Sequence, residues 1–294
     1  MNNYVWIIGT DGQLGTELRK FFKDTNCICT DKELDITDKQ AVQNFIKQYN
    51  ITLIVNAAAY TDVNRSEDEA QELCYKINVI GVQNLVNTGI PLIHISSDYV
   101  YGSDKVDTEH IETDEMNAFN YYGKTKQLAD EYILEYSKSN PDYIYLVLRV
   151  SWVYSSHHNN FVKTIFNKIL LGDKLIIIND QIGNITSAED IAEFIWYISS
   201  RLESKYNGIY HFRGDGEYGS WDTVAYEIQN YIINKLNQPL DLISSIPTSA
   251  FPNKVRRPLN SKLNLNKFKT TFWYDIPKWK TSLIKVLDTL WENK

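Results

Sequence analysis

Cysteine is scarce in this chain: three in 294 residues, Cys27, Cys29 and Cys74. An odd number cannot all pair internally, and no Cys-x-x-Cys occurs, so a disulfide framework, a zinc ribbon and thioredoxin-type chemistry are set aside. A reducing cytoplasmic location is the expectation. Cys27 and Cys29 alternate along a predicted strand and read as small core side chains. No run of consecutive Lys or Arg is longer than a pair such as Arg256-Arg257, and 37 acidic residues against 30 basic ones give a formal charge of −7. That balance speaks against a nucleic-acid partner, while an anionic small molecule can still be met by a local basic pocket. No basic n-region precedes a long apolar run, and the first apolar stretch, residues 4–8, is far too short to cross a bilayer. No targeting or membrane segment is expected. Internal repeats and low-complexity linkers are also missing.

What is present is ordinary for a globular protein, with 43% hydrophobic and 23% charged residues. The length suits one large α/β domain, or a nucleotide-binding domain carrying a smaller lobe. Residues 4–8 are apolar and β-prone without alternation, as a strand buried on both faces reads. A glycine-rich turn follows, and then Leu14, Leu18, Phe21 and Phe22 recur at helical spacing. The alternation continues with strands at 26–30, 52–56, 92–97 and 143–149 and helices at 39–49, 69–86 and 121–136. This predicts a Rossmann-type doubly wound parallel sheet. Later segments are less regular: helices at 161–171, 188–200, 221–236 and 281–291, with strands at 175–178 and 209–212. The expected division is a dinucleotide-binding domain over 1–150, with 151–294 mostly a substrate-binding lobe from which some segments return to the sheet.

The turn reads Gly9-Thr10-Asp11-Gly12-Gln13-Leu14-Gly15. Glycines between a strand and a helix let the backbone turn tightly and approach a pyrophosphate, to which the helix N-terminus offers free N–H groups and a positive dipole. Asp31, about twenty residues further on, stands where a carboxylate accepts the hydroxyls of an adenosine ribose. That favours NADH. Lys32 beside it can instead pair with a 2′-phosphate, so NADPH stays open. Ala57, Ala58 and Ala59, closing the third strand after Asn56, are small enough for a flat cofactor to lie against the backbone.

Tyr-x-x-x-Lys decides little in a chain with 20 tyrosines. Tyr122 and Lys126 differ from the other instances by opening a helix soon after a strand that ends in Ser96-Ser97-Asp98. Ketone reduction needs a hydride on carbon and a proton on oxygen, and a free phenol with a pKa of about 10 is a poor donor at neutral pH. A lysine one turn away is expected to lower it. The hydroxyl of Ser97 can steady the developing oxyanion. His94 and His211, in predicted buried strands, read as satisfied core histidines, and His157-His158 lacks further ligands at metal spacing.

These residues resemble the extended short-chain dehydrogenase/reductases, and within them the dTDP-4-dehydrorhamnose reductase family. The motifs that carry the resemblance run nearly the whole chain: Gly12-Gln13-Leu14-Gly15, Asp35-Ile36, Val55-Asn56-Ala57-Ala58-Ala59-Tyr60-Thr61, Ser96-Ser97-Asp98-Tyr99-Val100, Tyr122-Gly123-Lys124-Thr125-Lys126, Arg149-Val150-Ser151-Trp152, Asn159-Asn160-Phe161, Asp180-Gln181 and Arg257-Pro258-Leu259-Asn260-Ser261. The resemblance implies a catalytic Ser97, Tyr122 and Lys126, and a cofactor lined by Gly12, Gln13, Leu14, Asp31, Asp35, Ile36, Ala58, Ala59 and Lys126. It implies that Asp98, Tyr99 and Trp152 contact a deoxyhexose, with Asn160, Phe161, Gln181 and Arg257 nearer the nucleotide.

Departures from the family pattern are Ser97 where Thr is usual, Ala118 where Pro often precedes the tyrosine, and Asn184-Ile185-Thr186 where Pro usually precedes Thr. A sugar-nucleotide dehydratase would carry Asp-Glu after the Ser or Thr; here Asp98-Tyr99 stands, which argues for simple carbonyl reduction. The expected substrate is a dTDP-linked 4-keto-6-deoxy sugar, reduced with NADPH or NADH and without a metal. A reductase forming a related sugar such as a 6-deoxy-talose, and a non-catalytic NAD(P)-binding regulatory subunit, are the alternatives. A homodimer is compatible with the sequence but not legible in it.

Overall fold

The computed structural model describes residues 3–252 and 255–294. Its first half alternates strand and helix: β1 (Tyr4–Ile8), α1 (Gln13–Phe21), β2 (Cys27–Thr30), α2 (Lys39–Gln48) and β3 (Ile51–Asn56). There follow α3 (Gln71–Tyr75), a π-helical turn (Lys76–Gly81), α4 (Val82–Val86), β4 (Leu92–Ser97), α5 (Tyr121–Ser139) and β5 (Tyr145–Val150). The second half contains β6 (Val153–Tyr154), α6 (Phe161–Leu170), β7 (Leu175–Ile178), β8 (Ile182–Gly183), β9 (Thr186–Ser187) and α7 (Ala188–Ser199). It ends with β10 (Gly208–Phe212), β11 (Gly219–Ser220), α8 (Trp221–Leu236), β12 (Ile243–Ile246), β13 (Asn260–Ser261), α9 (Asn266–Phe272) and α10 (Trp279–Glu292).

Six parallel strands form the main sheet in the order β10-β5-β4-β3-β1-β2. The chain runs outward from β1 to β2 and then crosses back to β3, so the strand order reverses between β1 and β3. A crevice opens at such a reversal, beyond the carboxyl ends of the strands. The apolar strands bury both faces: Ile7, Val55 and Leu148 pack beneath α1 and α7, while Trp6, Ile54 and Val147 pack beneath α2, α4 and α5. A separate cluster of Tyr154, Phe166, Ile228 and Leu287 forms the core under α6, α8 and α10. Cys27 and Cys29 are half-buried at the edge of the first cluster.

Local chemistry fixes several helix ends. Asp38 caps α2 by accepting from the N–H groups of Gln40 and Ala41, and Ser220 and Thr223 form a capping box on α8. Asn237 ends α8 in the left-handed region, with φ 52°. The helix expected over 69–86 runs continuously over 71–86, with the π-helical stretch at its middle. Asn78 within that turn points inward, accepting from Tyr60 N–H and donating to Thr125 Oγ1 at 3.0 Å. Among the described residues, no helix is long and apolar enough to cross a membrane.

Phe194 of α7 ties the second half to the sheet, with its ring centroid 4.6 Å from Phe268, 5.0 Å from Phe272 and 5.6 Å from Phe212. Truncating a ring packed this way leaves a cavity as well as losing transfer free energy. Phe194→Ala is expected to destabilise the fold by about 3–5 kcal/mol, read from the shift in denaturant midpoint at constant m-value.

Candidate active site

β1 delivers the chain into the crevice at Gly9, whose φ of 81° suits glycine and whose Cβ, if present, would lie 2.6 Å from Ala58 N. Gly12 begins α1 with no side chain capping the first-turn N–H groups, which leaves these donors for an anion. Gly15 packs so tightly that a Cβ there would sit 2.1 Å from Gly9 O. The turn therefore has the tight bend, the open approach and the close helix packing that a pyrophosphate site requires.

A groove of about 790 Å³ runs from this turn. Gly9, Gly12, Asp31, Asp35, Ile36, Ala57, Ala58 and Ala59 line it, with Lys32 beside Asp31 and with Leu73, Lys76 and Ile77 from the α3 side. Asp31 Oδ2 accepts from Asp11 N–H at 2.9 Å, which fixes the carboxylate at the mouth of the groove. Length, uncapped donors and a carboxylate lining the groove beside the glycine turn together fit a nicotinamide dinucleotide. Gln13 and Leu14 supply backbone N–H groups to the first turn of α1, but their side chains are engaged elsewhere. Gln13 Oε1 accepts from Ser155 Oγ at 3.0 Å and Asn160 Nδ2 at 2.9 Å, and Leu14 is buried in the core under α1. Gln13 thus ties the glycine turn to the segment before α6.

Ser97 is the last residue of β4; its hydroxyl donates to Asp98 Oδ1 at 3.0 Å and accepts from Tyr99 N–H at 3.2 Å. Asn120 caps α5, accepting from Gly123 N–H at 2.8 Å. A Cβ on Gly123 would lie 2.3 Å from Tyr99 O, so glycine lets the helix start rest directly on the backbone beyond β4. This contact sets Tyr122 beside Ser97, with the Tyr99 ring edge-on at 5.7 Å. Lys126, one turn later, is fully buried, donates to Ile95 O at 2.7 Å and lies 3.3 Å from His94 Nε2.

Burial dominates the ionisation of this cluster. It pushes the Tyr122 phenol upward, the Ser97 hydroxyl pulling the other way. Burial also lowers Lys126 to about 8 and raises Asp98 to about 6. The expected lowering of Tyr122 by Lys126 is therefore not seen in the protein alone, because the lysine nitrogen is turned to a strand carbonyl and desolvation outweighs its charge.

On the lobe side, Trp152 holds a left-handed φ of 48° and stacks on Trp221 with centroids 3.8 Å apart, while Phe161 packs on Trp221 at 4.5 Å. Trp221 Nε1 donates to Gln181 Oε1 at 3.0 Å. Trp152, Phe161 and Gln181 thus converge on Trp221, which the sequence reading marked only as the start of a helix. Asn160 spends its side chain capping α6 and donating to Gln13 and to Ser155 O. Arg257 makes a long contact to Asn64 Oδ1, and its buried Nε has no partner among the described residues. Burial raises the Tyr99 phenol against the opposing charge of Arg257.

At the departures from the family pattern, Ala118 N–H donates to Gln127 Oε1 at 3.3 Å, a bond proline cannot make. Asn184 anchors its loop by donating to Gly214 O at 2.9 Å. His157, weighed above as a metal ligand, sits 2.9 Å from Glu17 Oε1 beside a second pocket of about 430 Å³ that holds none of the expected site residues. His94 and His211 are buried and hydrogen-bonded.

A dinucleotide groove at the strand reversal, with a serine, a tyrosine and a lysine gathered where β4 meets α5, defines an extended short-chain dehydrogenase/reductase. Comparison with known proteins narrows the class. The family described as the RmlD substrate binding domain matches residues 2–291, and the chain belongs to it. It is 33% identical to dTDP-4-dehydrorhamnose reductase of Aggregatibacter actinomycetemcomitans, over 94% of this chain and 96% of that one. The crystal structure of a dTDP-4-dehydrorhamnose reductase ortholog from Clostridium acetobutylicum superposes with a TM-score of 0.85 at 33% identity, covering 98% of this chain and 99% of that one. That of dTDP-4-dehydrorhamnose reductase from Bacillus anthracis, in complex with NADP, gives 0.87 at 28% identity over 98% and 100%.

Gly9→Ala would introduce strain of order 1–3 kcal/mol and a clash with the β3 end. It is expected to weaken NADPH binding about tenfold or more, measured by fluorescence titration.

Proposed function

We propose that this protein reduces the C4 ketone of dTDP-4-dehydro-6-deoxy-L-mannose (dTDP-4-dehydro-L-rhamnose) to dTDP-L-rhamnose, using NADPH or NADH. The observation that supports the reading is Tyr122 set beside Ser97 at the end of β4, the neighbour of β3 whose following residues Ala57–Ala59 line the groove, in a chain whose full-length relatives bear that reductase name. The glycine turn and Asp31 would hold the dinucleotide, which when bound supplies the hydride.

The remaining steps belong to the protein. Ser97 orients the carbonyl by donating to its oxygen. Tyr122, kept as a neutral phenol by burial, holds the proton that this oxygen needs as it becomes an alkoxide. Lys126 stands under Tyr122 and supplies positive charge when protonated, which favours the phenolate left after transfer. Asp98 offers the only carboxylate next to Ser97 in the sequence, since Tyr99 stands where elimination chemistry would want a second acid. Trp152 and Tyr99 provide aromatic surface for the deoxyhexose, and Phe161, Gln181 and Arg257 are the residues we assign to the nucleotide side. Asn160 acts on this reading by clamping Gln13.

Tyr122→Phe keeps the ring and removes the proton. It is expected to lower kcat by ~10²- to 10⁴-fold with NADPH affinity unchanged, followed as NADPH oxidation with the 4-keto sugar nucleotide. Full activity in that variant, or a wild-type protein that binds NADPH but turns nothing over, would remove the assignment.

A further inference from the structure

The hydrogen-bond directions beneath the active site constrain the proton on Lys126. Ala58 N–H donates to Asn56 Oδ1 at 3.1 Å, so the amide oxygen of this fully buried asparagine is fixed. Its Nδ2, a donor only, then faces His94 Nδ1 at 3.2 Å. Nδ1 must accept. A neutral imidazole that accepts at Nδ1 carries its proton on Nε2, and Nε2 lies 3.3 Å from Lys126 Nζ. The same lysine nitrogen donates to Ile95 O at 2.7 Å. An ammonium has no lone pair for the Nε2–H; a neutral amine has one.

We infer that His94 is a positioning residue which, locked as the Nε2–H tautomer by Asn56, presents a donor to Lys126 and so weakens the hold of that lysine on its proton. This inference rests on the reading of Tyr122 and Lys126 as catalytic partners. It reaches beyond that reading by giving a role to a histidine that otherwise looks like packing.

The other groups facing Lys126 do not override the effect. Tyr122 on α5 and Cys74 on α3 are both held neutral by burial. Asp130, one turn along α5, pulls the other way, but its Oδ2 is engaged by Arg149 Nε of β5 at 2.9 Å. Burial pushes the His94 imidazole well below its ordinary range, which favours its neutral form, and brings Lys126 to about 8, in the same direction as the tautomer argument. The O–H bond of Tyr122 breaks as the alkoxide gains its proton, leaving a phenolate that takes its next proton from solvent. Lys126 favours that phenolate only while it is an ammonium, and the amine is the form that His94 Nε2–H can hydrogen-bond.

Two measurements test this. In cofactor-free wild-type protein above pH 9, a long-range ¹H–¹⁵N correlation spectrum is expected to show His94 protonated at Nε2 and bare at Nδ1; a proton on Nδ1 would overturn the inference. His94→Gln can turn a carbonyl oxygen toward the lysine, which accepts from an ammonium. Its alkaline limb in kcat/KM against pH is expected to move up by about one pH unit or more, with NADPH affinity held. An unmoved limb in a variant of unchanged melting temperature would also overturn it. Should His94→Gln fail to fold, the spectrum of the wild type still decides, and wild-type turnover separates failure of this inference from failure of the reductase assignment.

Discussion

The hydrogen bond from the buried Lys126 nitrogen to Ile95 O, at 2.7 Å, is the constraint on which the site depends. It fastens the second turn of α5 to the carboxyl-terminal half of β4, while Gly123 in the first turn rests against Tyr99 O. With both contacts in place, Tyr122 has little choice but to face Ser97. The burial that makes this tether rigid costs the charged lysine on the order of 3 kcal/mol, judged from a pKa lowered to about 8 from 10.5. A surface lysine would incur no such cost and would also fix nothing.

Much of this arrangement was legible because it rests on local pattern. The strand at Leu92–Ser97 and the helix at Trp221–Leu236 begin and end where apolar periodicity and turn chemistry place them. The glycine turn declares its own backbone, since few other residues tolerate φ near 81° at Gly9. Other parts depend on contacts between distant residues. Helix α9 escaped notice because it is only seven residues long, and its Phe268 and Phe272 acquire meaning only against Phe194. The two-residue strands β8, β11 and β13 carry no periodicity at all, yet they build the floor on which Trp152 and Trp221 stack.

The site shows the same division. Residue types and their order along the chain suffice to nominate Ser97, Tyr122 and Lys126, because the chemistry of carbonyl reduction asks for those groups. The sign of their mutual influence was not readable. A lysine one turn from a tyrosine suggests a lowered phenol, but the lysine turns to a strand carbonyl, and desolvation then governs both side chains. Likewise, His94 in a buried strand reads as packing until Asn56 and Lys126 are seen on its two nitrogens.

Desolvation moves each ionisable group of the cluster toward its uncharged form: the phenol and the carboxyl of Asp98 upward, the amine downward. For a reductase this is the useful direction. The proton donor must be loaded before the ketone can accept anything, and a dry site with neutral walls makes any charge that later enters act strongly across it. A protein that instead kept a permanent phenolate beside a charged lysine would be poised to remove a proton from an alcohol. The same three residues can serve either direction, and burial tips the resting protein toward giving a proton away.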